Sequence, residues 1–284
     1  MAASVLPVLM YHHVGPHPGL VTVTPETFRA QMAWLARHGW QVLTAADIEA
    51  YFAGRPFPGR SVAITFDDGY ADNWRHAHPV LKEFGFTAQL FVVTGWLGDG
   101  PVRGEAELPC PDHDQCKRDI AAGQPDRAML RWSEVEAMAA AGTFEFHSHS
   151  HSHTRWDIRL PAGAARREAL AADLAQSRAA LAVRLGAASR HLCWPQGYYD
   201  DEYIEIAGQA GFDHLYTTER RANRPGGDSL RIGRISTKER AGAAWLGRRL
   251  DIYRLPWLSG LYFAANDYKE RRKKRRCPPA TSPT

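Results

Sequence analysis

Short apolar runs alternate with helical segments along most of this chain, and that alternation limits the possible folds more than any other feature. Several helical segments end at a glycine, as at Phe84-Gly85, Leu185-Gly186 and Ala210-Gly211, and an apolar run follows each of them. A repeated order of helix, glycine stop and strand predicts an α/β fold with a parallel sheet or barrel. The apolar runs are residues 5–11, 40–43, 61–66, 89–93, 143–147, 191–194, 214–217 and 231–235.

Two predicted helix starts support this alternation, and one long segment interrupts it. Thr24 followed by Pro25 predicts a capped helix that ends at His38-Gly39. The segment that begins Ser133-Glu134 resembles a capping box and predicts another helix. Residues 96–131 break the alternation, and we expect them to form a long, irregular insertion over one face.

Length and composition suit one large globular unit: 284 residues, 44% of them hydrophobic and 23% charged. The net charge of +4 is too small to indicate a nucleic-acid partner. The N-terminus lacks the basic and apolar segments of a signal peptide, and four cysteines make no dense disulfide framework. No stretch approaches the roughly 20 apolar residues of a membrane span. These features favour a cytoplasmic location.

Two adjacent carboxylates, Asp67 and Asp68, stand where an apolar run ends, in the segment Thr65-Phe66-Asp67-Asp68-Gly69. Like charges at such a place raise each other's pKa, and a bound cation would relieve that cost. Adjacent carboxylates at the end of a strand can also have different functions, since one can bind a metal and the other can face a water molecule. The alternative is an ordinary helix cap followed by a turn.

Four histidines stand in the seven residues 147–153, the first of them at the end of the run at 143–147. His149 and His153 are four residues apart, so they can converge on one cation if the segment turns helical. Imidazole suits Zn, Ni, Co or Fe, and a carboxylate would complete a set with open positions. The alternative is a polar tract without function.

A third segment, Trp194-Pro195-Gln196-Gly197, follows the run at 191–194. Proline and glycine fix a tight turn that can aim a backbone N–H outward, where it could stabilise an oxyanion. All three segments, and His12-His13 after the first run, fall just beyond predicted strands. In a βα barrel those strand ends share one face, which is where active sites lie.

Together these segments resemble the polysaccharide deacetylase family, also called the NodB-homology family or carbohydrate esterase family 4. Thr65 to Gly69 resembles its first motif, T-F-D-D-G, and His149 to His153 its second, H-[ST]-x-x-H. Trp194 to Gly197 resembles its third, with glutamine in place of tyrosine. The resemblance covers roughly residues 5–235 and implies a distorted (β/α)7 barrel.

The resemblance also implies roles. Asp67 would be the general base, Asp68, His149 and His153 the ligands of one divalent metal (zinc first, with cobalt, nickel or iron as alternatives), and the Gln196 N–H an oxyanion donor. Substrate contacts are expected from His12, His13, Trp194, Pro195 and Tyr198. The family's general-acid histidine motif, the arginine of its third motif and its Asp-Trp motif are not found. His12, His13, His147 and His151 remain open as the general acid.

The implied activity is metal-dependent removal of an N-acetyl group from an amino sugar. One rival is hydrolysis of another amide, such as a formamide, a cyclic ureide or peptidoglycan, by the same fold; another is a non-catalytic sugar-binding protein. Cys110, His113 and Cys116 could form a second zinc site or a redox pair, but three ligands are too few for structural zinc. Exposed loop thiols are the alternative.

We divide the chain into a barrel at 1–236, a helical extension at 237–268 and a basic, proline-rich disordered tail at 269–284. From Lys269 to Arg276 seven of eight residues are lysine or arginine. Aromatic and leucine residues between Trp245 and Phe263, beside these cations, fit a surface on an anionic membrane. That suggests a peripheral enzyme of lipopolysaccharide or related envelope-glycan assembly. The alternative is two helices that close the bottom of the barrel. The oligomeric state is not predicted.

Overall fold

A curled, parallel sheet surrounded by helices forms the centre of the molecule. The computed structural model describes residues 2–17, 19–104, 107–108 and 110–276, with side chains described as far as residue 266. Within that part of the chain the strands are β1 (Val8–Tyr11), β2 (His13–Val14), β3 (Thr22–Val23), β4 (Gln41–Val42), β5 (Ser61–Phe66), β6 (Ala88–Val92), β7 (Phe144–Ser148), β8 (His191–Cys193), β9 (His214–Tyr216) and β10 (Ile235–Ser236).

Helices follow most of the strands. They are α1 (Pro25–Arg37), α2 (Ala45–Phe52), α3 (His78–Phe84), α4 (His113–Ala121), α5 (Trp132–Ala140), α6 (Trp156–Arg159), α7 (Ala164–Leu185), α8 (Asp201–Gln209), α9 (Ala243–Arg254) and α10 (Pro256–Arg276). The cap predicted at Thr24 is present, since its side chain accepts a hydrogen bond from the Thr27 N–H. Gly85 and Gly186 end their helices in the left-handed conformation, as the glycine stops predicted.

The sheet runs β10-β1-β5-β6-β7-β8-β9 with every neighbouring pair parallel, and β4 adds to the start of β5. After β9 the chain crosses back: Ile232 bridges Tyr216, and Ile235 then pairs with Leu9 of β1. This segment joins the first strand to the last and curls the sheet into a distorted barrel. The predicted (β/α)7 architecture is therefore confirmed.

The strands are apolar along nearly their whole length because helices cover the sheet. All residues of β1, β5 and β6 are buried, as expected for a parallel sheet with layers packed against it. Helix α1 packs onto the core through Phe28, Met32 and Leu35, which are fully buried. The strand ends are thereby held at fixed positions.

Two details of the insertion differ from the sequence prediction. The helix predicted to be capped by Ser133 begins one residue earlier, at Trp132, with Arg131 in the cap position. The Glu134 side chain accepts from the Arg131 N–H there, so the predicted capping box at Ser133 is wrong. The insertion is also less irregular than expected, because it contains helix α4.

The C-terminal extension packs on the barrel. Leu246, Leu250, Tyr253 and Phe263 are buried in the main core, whereas Trp257 and Leu261 are exposed. The backbone of α10 is helical through Arg276, further than the predicted helical extension, and residues 277–284 of the predicted tail lie outside the described residues. None of the helices described is long and apolar enough to cross a membrane.

Candidate active site

The acidic pair stands at the carboxyl end of β5, at the bottom of a cavity of about 610 Å³. Asp68 has a φ of 73°, and Gly69, with a φ of 93°, completes the turn. This left-handed pair turns the chain sharply, so Asp67 and Asp68 both face the cavity although they are adjacent. Both carboxylates are buried.

The histidine segment after β7 reaches the same point by a bent loop, not by the helical turn that the sequence reasoning required. Ser150 and His153 have φ values of 63° and 57°. The Ser150 hydroxyl accepts a hydrogen bond from the His153 N–H, and the Asp173 carboxylate of α7 accepts from the N–H groups of His151 and Ser152. These bonds hold a loop whose backbone conformation is otherwise unfavourable.

Asp68, His149 and His153 come together as a group suited to one metal ion. Nε2 of His149 and of His153 lie 3.3 and 3.5 Å from Asp68 Oδ1. Ligands about 2.1 Å from a tetrahedral ion are roughly 3.4 Å apart. The Cys193 carbonyl accepts a hydrogen bond from His149 Nδ1 at 2.8 Å, which leaves Nε2 free to ligate.

Asp68 and His153 have the protonation that a metal ligand needs, whereas His149 would release its Nε2 proton to an incoming ion, because Cys193 and the Asp68 carboxylate outweigh burial and hold its pKa well above the usual value. Burial lowers the pKa of His153 to about 4 despite the opposing charge of Asp68, so this imidazole is neutral near pH 7. Burial alone would raise the pKa of Asp68, but the hydrogen bond from His149 and the neighbouring imidazoles outweigh it and hold that pKa well below its usual value. A carboxylate and neutral imidazole are the forms that bind divalent ions.

Asp67 differs from Asp68 in its partner, which is the buried Arg234. The Arg234 guanidinium donates to both carboxylate oxygens, at 2.7 and 2.8 Å. Burial would raise the pKa of Asp67, but the charge and hydrogen bonds of Arg234 lower it below the ordinary value. Asp67 is therefore ionised and fixed in orientation beside the cavity.

Sequence reasoning missed Arg234. It lies between β9 and β10 in the short apolar run at 231–235, and its side chain is completely buried. Its other donors reach the Thr217 carbonyl and the Cys193 sulfur. A charged residue within an apolar, strand-like run was the available signal, since arginine is rarely buried without a partner.

Only one of the four histidines considered as general acid lines the cavity. His12 Nε2 lies 3.8 Å from Asp67 Oδ2. His13 points away, stacked on Tyr70 and bonded through Nδ1 to Asp72. His147 bonds to Gln89 and Ser189, and His151 to Thr94, so none of these three stands beside Asp67.

The third segment contributes the far wall. Trp194, Gln196 and Gly197 line the cavity. Gln196 has a φ of 55°, and Gly197, at 71°, has no room for a side chain because an added Cβ would meet the Thr218 side chain. Pro195 is buried and is not part of the wall. Tyr198 also lies away from it, under the Arg155 guanidinium at 4.1 Å.

The insertion forms the remaining wall through Trp96 and the residues of α4 that face the cavity, among them His113 and Lys117. Cys116 on this helix is buried, so the expectation of exposed loop thiols is wrong for it. Among the described residues, Cys110, His113 and Cys116 do not converge as a metal-ligand group. His113 Nδ1 instead lies 3.2 Å from His13 Nε2.

The chain has recognisable relatives. Residues 54–215 match the family model described as polysaccharide deacetylase. The putative polysaccharide deacetylase YxkH of Bacillus subtilis strain 168 is 39% identical over 94 residues, 33% of each chain. The poly-beta-1,6-N-acetyl-D-glucosamine N-deacetylase of Escherichia coli strain K12 is 26% identical over 210 residues, which cover 70% of this chain and 31% of that protein. The aligned part thus spans about a third of these curated relatives.

Among solved structures, IcaB from Ammonifex degensii superposes with a TM-score of 0.69 at 28% sequence identity. The alignment covers 86% of this chain and 97% of that one. The match extends over the barrel and agrees with the architecture of the sheet.

Proposed function

Since this chain belongs to the polysaccharide deacetylase family, we propose that it is a metal-dependent hydrolase that removes the N-acetyl group from an amino sugar. The observation that carries the proposal is the arrangement at the cavity floor. An ionised aspartate, Asp67, fixed by Arg234, stands next to a separate ligand group of Asp68, His149 and His153. A general base beside a metal site is one arrangement that can hydrolyse an unactivated amide.

Asp68, His149 and His153 would hold the divalent ion, zinc in our first assignment with cobalt, nickel or iron as alternatives. When bound, such an ion supplies a Lewis acid for the acyl carbonyl and the attacking water. Asp67 does not need to be a ligand, because Arg234 already neutralises its charge. It is instead placed to take the proton of the water.

His12 is our assignment for the group that protonates the leaving amine. Burial lowers its pKa, against the charges of Asp67 and Asp68, so it is neutral before the reaction. Its Nε2 lies near Asp67, and the proton that Asp67 takes from the water can pass to His12 and then to the leaving nitrogen. With this order of proton transfers, His12 can be neutral when the substrate binds.

The walls suit a sugar. Trp96, which is half-buried, offers aromatic surface at the cavity wall, and sugars commonly stack on such rings. The Gln196 backbone N–H is proposed as the oxyanion donor, because its turn is fixed by positive φ values at the cavity wall. Of the expected substrate contacts His12 is retained, whereas Trp194, whose side chain is buried, would act only by positioning its neighbours, as would His13, Pro195 and Tyr198.

A panel of acylated substrates tests this function. Purified protein with added zinc or cobalt is incubated with N-acetylglucosamine oligomers, N-formyl sugars, a cyclic ureide and acetylated peptidoglycan fragments, and free amine and acetate are measured. We expect release from the N-acetylglucosamine oligomers, and no release by Asp67→Asn. Turnover of the ureide or the formamide alone would favour the rival hydrolase. Binding of the sugar without turnover would favour a non-catalytic sugar-binding protein.

We further propose that the substrate is met at an anionic membrane, in envelope-glycan or lipopolysaccharide assembly. Support comes from α10, where Trp257 and Leu261 are exposed one helical turn apart and the basic run follows. Fewer apolar side chains are available to a membrane than the sequence suggested, because four of them are buried in the core: Leu246, Leu250, Tyr253 and Phe263.

Co-sedimentation with vesicles rich in anionic lipid tests the membrane proposal. Trp257→Ser/Leu261→Ser should reduce salt-sensitive binding. The control Ile158→Ser/Val183→Ser removes two other exposed apolar side chains and should bind like wild type. Equal binding by all three proteins, or none at low salt, would end the membrane proposal and leave the deacetylase proposal intact.

A further inference from the structure

A second cluster of metal-ligating side chains lies at the other end of the barrel. His191 and His214 are the first residues of β8 and β9, whereas Asp68 and His149 follow the last residues of β5 and β7. These strands are parallel, so the two groups face opposite ends of the sheet. Glu49 of α2 completes the cluster, and its ligand atom and those of the two histidines all lie within 4.8 Å of one another.

One atom of this cluster has no partner among the described residues. The Asp213 carboxylate accepts a hydrogen bond from His214 Nδ1 at 2.7 Å, so the proton of this imidazole is on Nδ1. Its Nε2 is then a lone-pair acceptor, and it is buried without a hydrogen bond. The His214 side chain is only 8% exposed. A buried acceptor without a partner costs free energy unless something fills the position.

The surrounding contacts are those that orient metal-binding histidines. Asp213 fixes the His214 tautomer, as a carboxylate does behind a ligating imidazole. The Tyr216 hydroxyl lies 3.0 Å from His191 Nδ1, and its oxygen can accept a hydrogen bond from Nδ1–H when Nε2 becomes a ligand. The His191 and His214 rings are nearly parallel, with centroids 4.8 Å apart.

A hydrogen-bonded pair explains only part of this arrangement. His191 Nε2 lies 3.1 Å from Glu49 Oε1, which satisfies both of these groups without a metal. That hydrogen bond does not explain why Nε2 of His214 is buried without a partner among the described residues. Arg190 forms an ion pair with Asp213 and lies 3.4 Å from Glu49, so the carboxylates are already partly neutralised. An ion here would have to be one that prefers imidazole over oxygen.

We propose that Glu49, His191 and His214 form a second metal site that takes a divalent transition ion such as Zn²⁺. Two imidazoles and one carboxylate match the donor preference of that ion, and a water would complete four-fold coordination. The Glu49 side chain is 34% exposed, which gives the ion a path from solvent. The bound ion would tie helix α2 to the starts of β8 and β9, so its role is to brace the end of the barrel opposite the catalytic cavity.

Zinc binding to the full-length protein tests the site without relying on activity. Chelator-treated protein is equilibrated with Zn²⁺ by dialysis, and bound zinc is measured by atomic emission. We expect two equivalents for wild type, one for Asp68→Asn, one for His214→Gln and none at the same free zinc for the double variant. Asp213→Asn should retain the second site with about 10- to 100-fold weaker affinity.

The controls separate this site from the catalytic one and from misfolding. His147→Gln changes a histidine that stacks on His191 but whose two ring nitrogens already have partners, so it should still bind two equivalents. Glu49→Gln, on the surface of α2, gives a second test if His214→Gln does not fold. Wild type that binds one equivalent, or a second equivalent that survives both His214→Gln and Glu49→Gln, would overturn the proposal.

Discussion

Asp67 and Asp68 are neighbours with the same side chain, yet their surroundings give them different chemistry. Asp68 faces two imidazoles, and Asp67 faces a buried guanidinium. The left-handed conformation of Asp68 lets both carboxylates face the cavity although they are adjacent, and each of them meets a different partner there. The chemistry of the site therefore depends on Arg234 as much as on the acidic pair.

Arg234→Lys tests this dependence. Lysine keeps the charge but cannot donate to both oxygens of Asp67, so we expect kcat to fall roughly 10- to 100-fold while zinc content stays unchanged. The pKa of Asp67 should rise, and since the base must be ionised, the acidic limb of the pH–rate profile should move to higher pH. Zinc lost in parallel with activity would instead make Arg234 a structural support of the metal site.

His12→Gln tests the proton donor. We expect hydrolysis of an N-acetyl sugar to fall by about 10²- to 10⁴-fold and hydrolysis of 4-nitrophenyl acetate by less than about tenfold, because a phenolate leaves without being protonated. Asp67→Asn provides the contrast, since loss of the base should slow both substrates. Equal losses on the amide and the ester in His12→Gln would remove His12 from this role.

At the scale of elements, the sequence predicted the strands and strand ends that depend on the local order of apolar and polar residues. Residues 61–66 were assigned as a strand and form β5 with the same bounds, because an apolar run that ends in polar turn residues has few alternatives. The placement of the acidic pair and the histidine segment on one face also followed, since parallel strands deliver their carboxyl ends to one face. The set of Asp68, His149 and His153 was implied by the family resemblance, and His153 reaches it through a bent loop in place of the expected helical turn.

Features that depend on long-range contacts did not follow from the sequence. Arg234 meets Asp67 only because the chain between β9 and β10 crosses back to β1, and no local signal encodes that crossing. The Ser133 cap failed because Glu134 forms a buried ion pair with Arg103, 31 residues away, and bonds to the Arg131 N–H. Tertiary pairing decided where that helix begins.

The Arg103–Glu134 pair should anchor the insertion. Its side chains are 5% and 0% exposed. Glu134→Gln leaves a buried guanidinium without its counter-charge, and we expect a loss of about 3–5 kcal/mol in the free energy of unfolding by urea. Glu83→Gln, which removes the exposed partner of Arg29, should cost about 0–1 kcal/mol. Similar costs for the two variants would mean that the insertion is not held by this pair.

At the scale of the whole molecule, the barrel carries polar clusters at both ends. The carboxyl ends of the strands hold the catalytic group, and a second cluster is a stack of His147 of β7 with His191 and His214, the first residues of β8 and β9. Burial lowers the pKa of His147 and of His214, so a positive charge on either of these rings is unfavourable in the folded protein. The stability of the fold should therefore respond to acid through these histidines.

His147 gives a direct test. Its burial, with a smaller effect from His191 and His214, lowers its pKa well below the usual value. The unfolded chain takes up this proton near pH 6.5 and the folded chain does not, so stability should fall as the pH drops below about 6.5. Between pH 6 and 5, wild type should lose up to about 1.4 kcal/mol per pH unit more than His147→Gln. Parallel pH profiles would show that His147 does not contribute.

The metal dependence of acetate release tests the central claim most directly. Protein stripped by a chelator and returned to chelator-free buffer is assayed with N-acetylglucosamine oligomers before and after stepwise addition of Zn²⁺ or Co²⁺. We expect no release from the stripped protein, recovery on addition of the ion, and no recovery in Asp68→Asn at the same ion concentration. Undiminished release from stripped wild type, or full recovery in Asp68→Asn, would contradict the assignment of Asp68, His149 and His153 as the catalytic metal site.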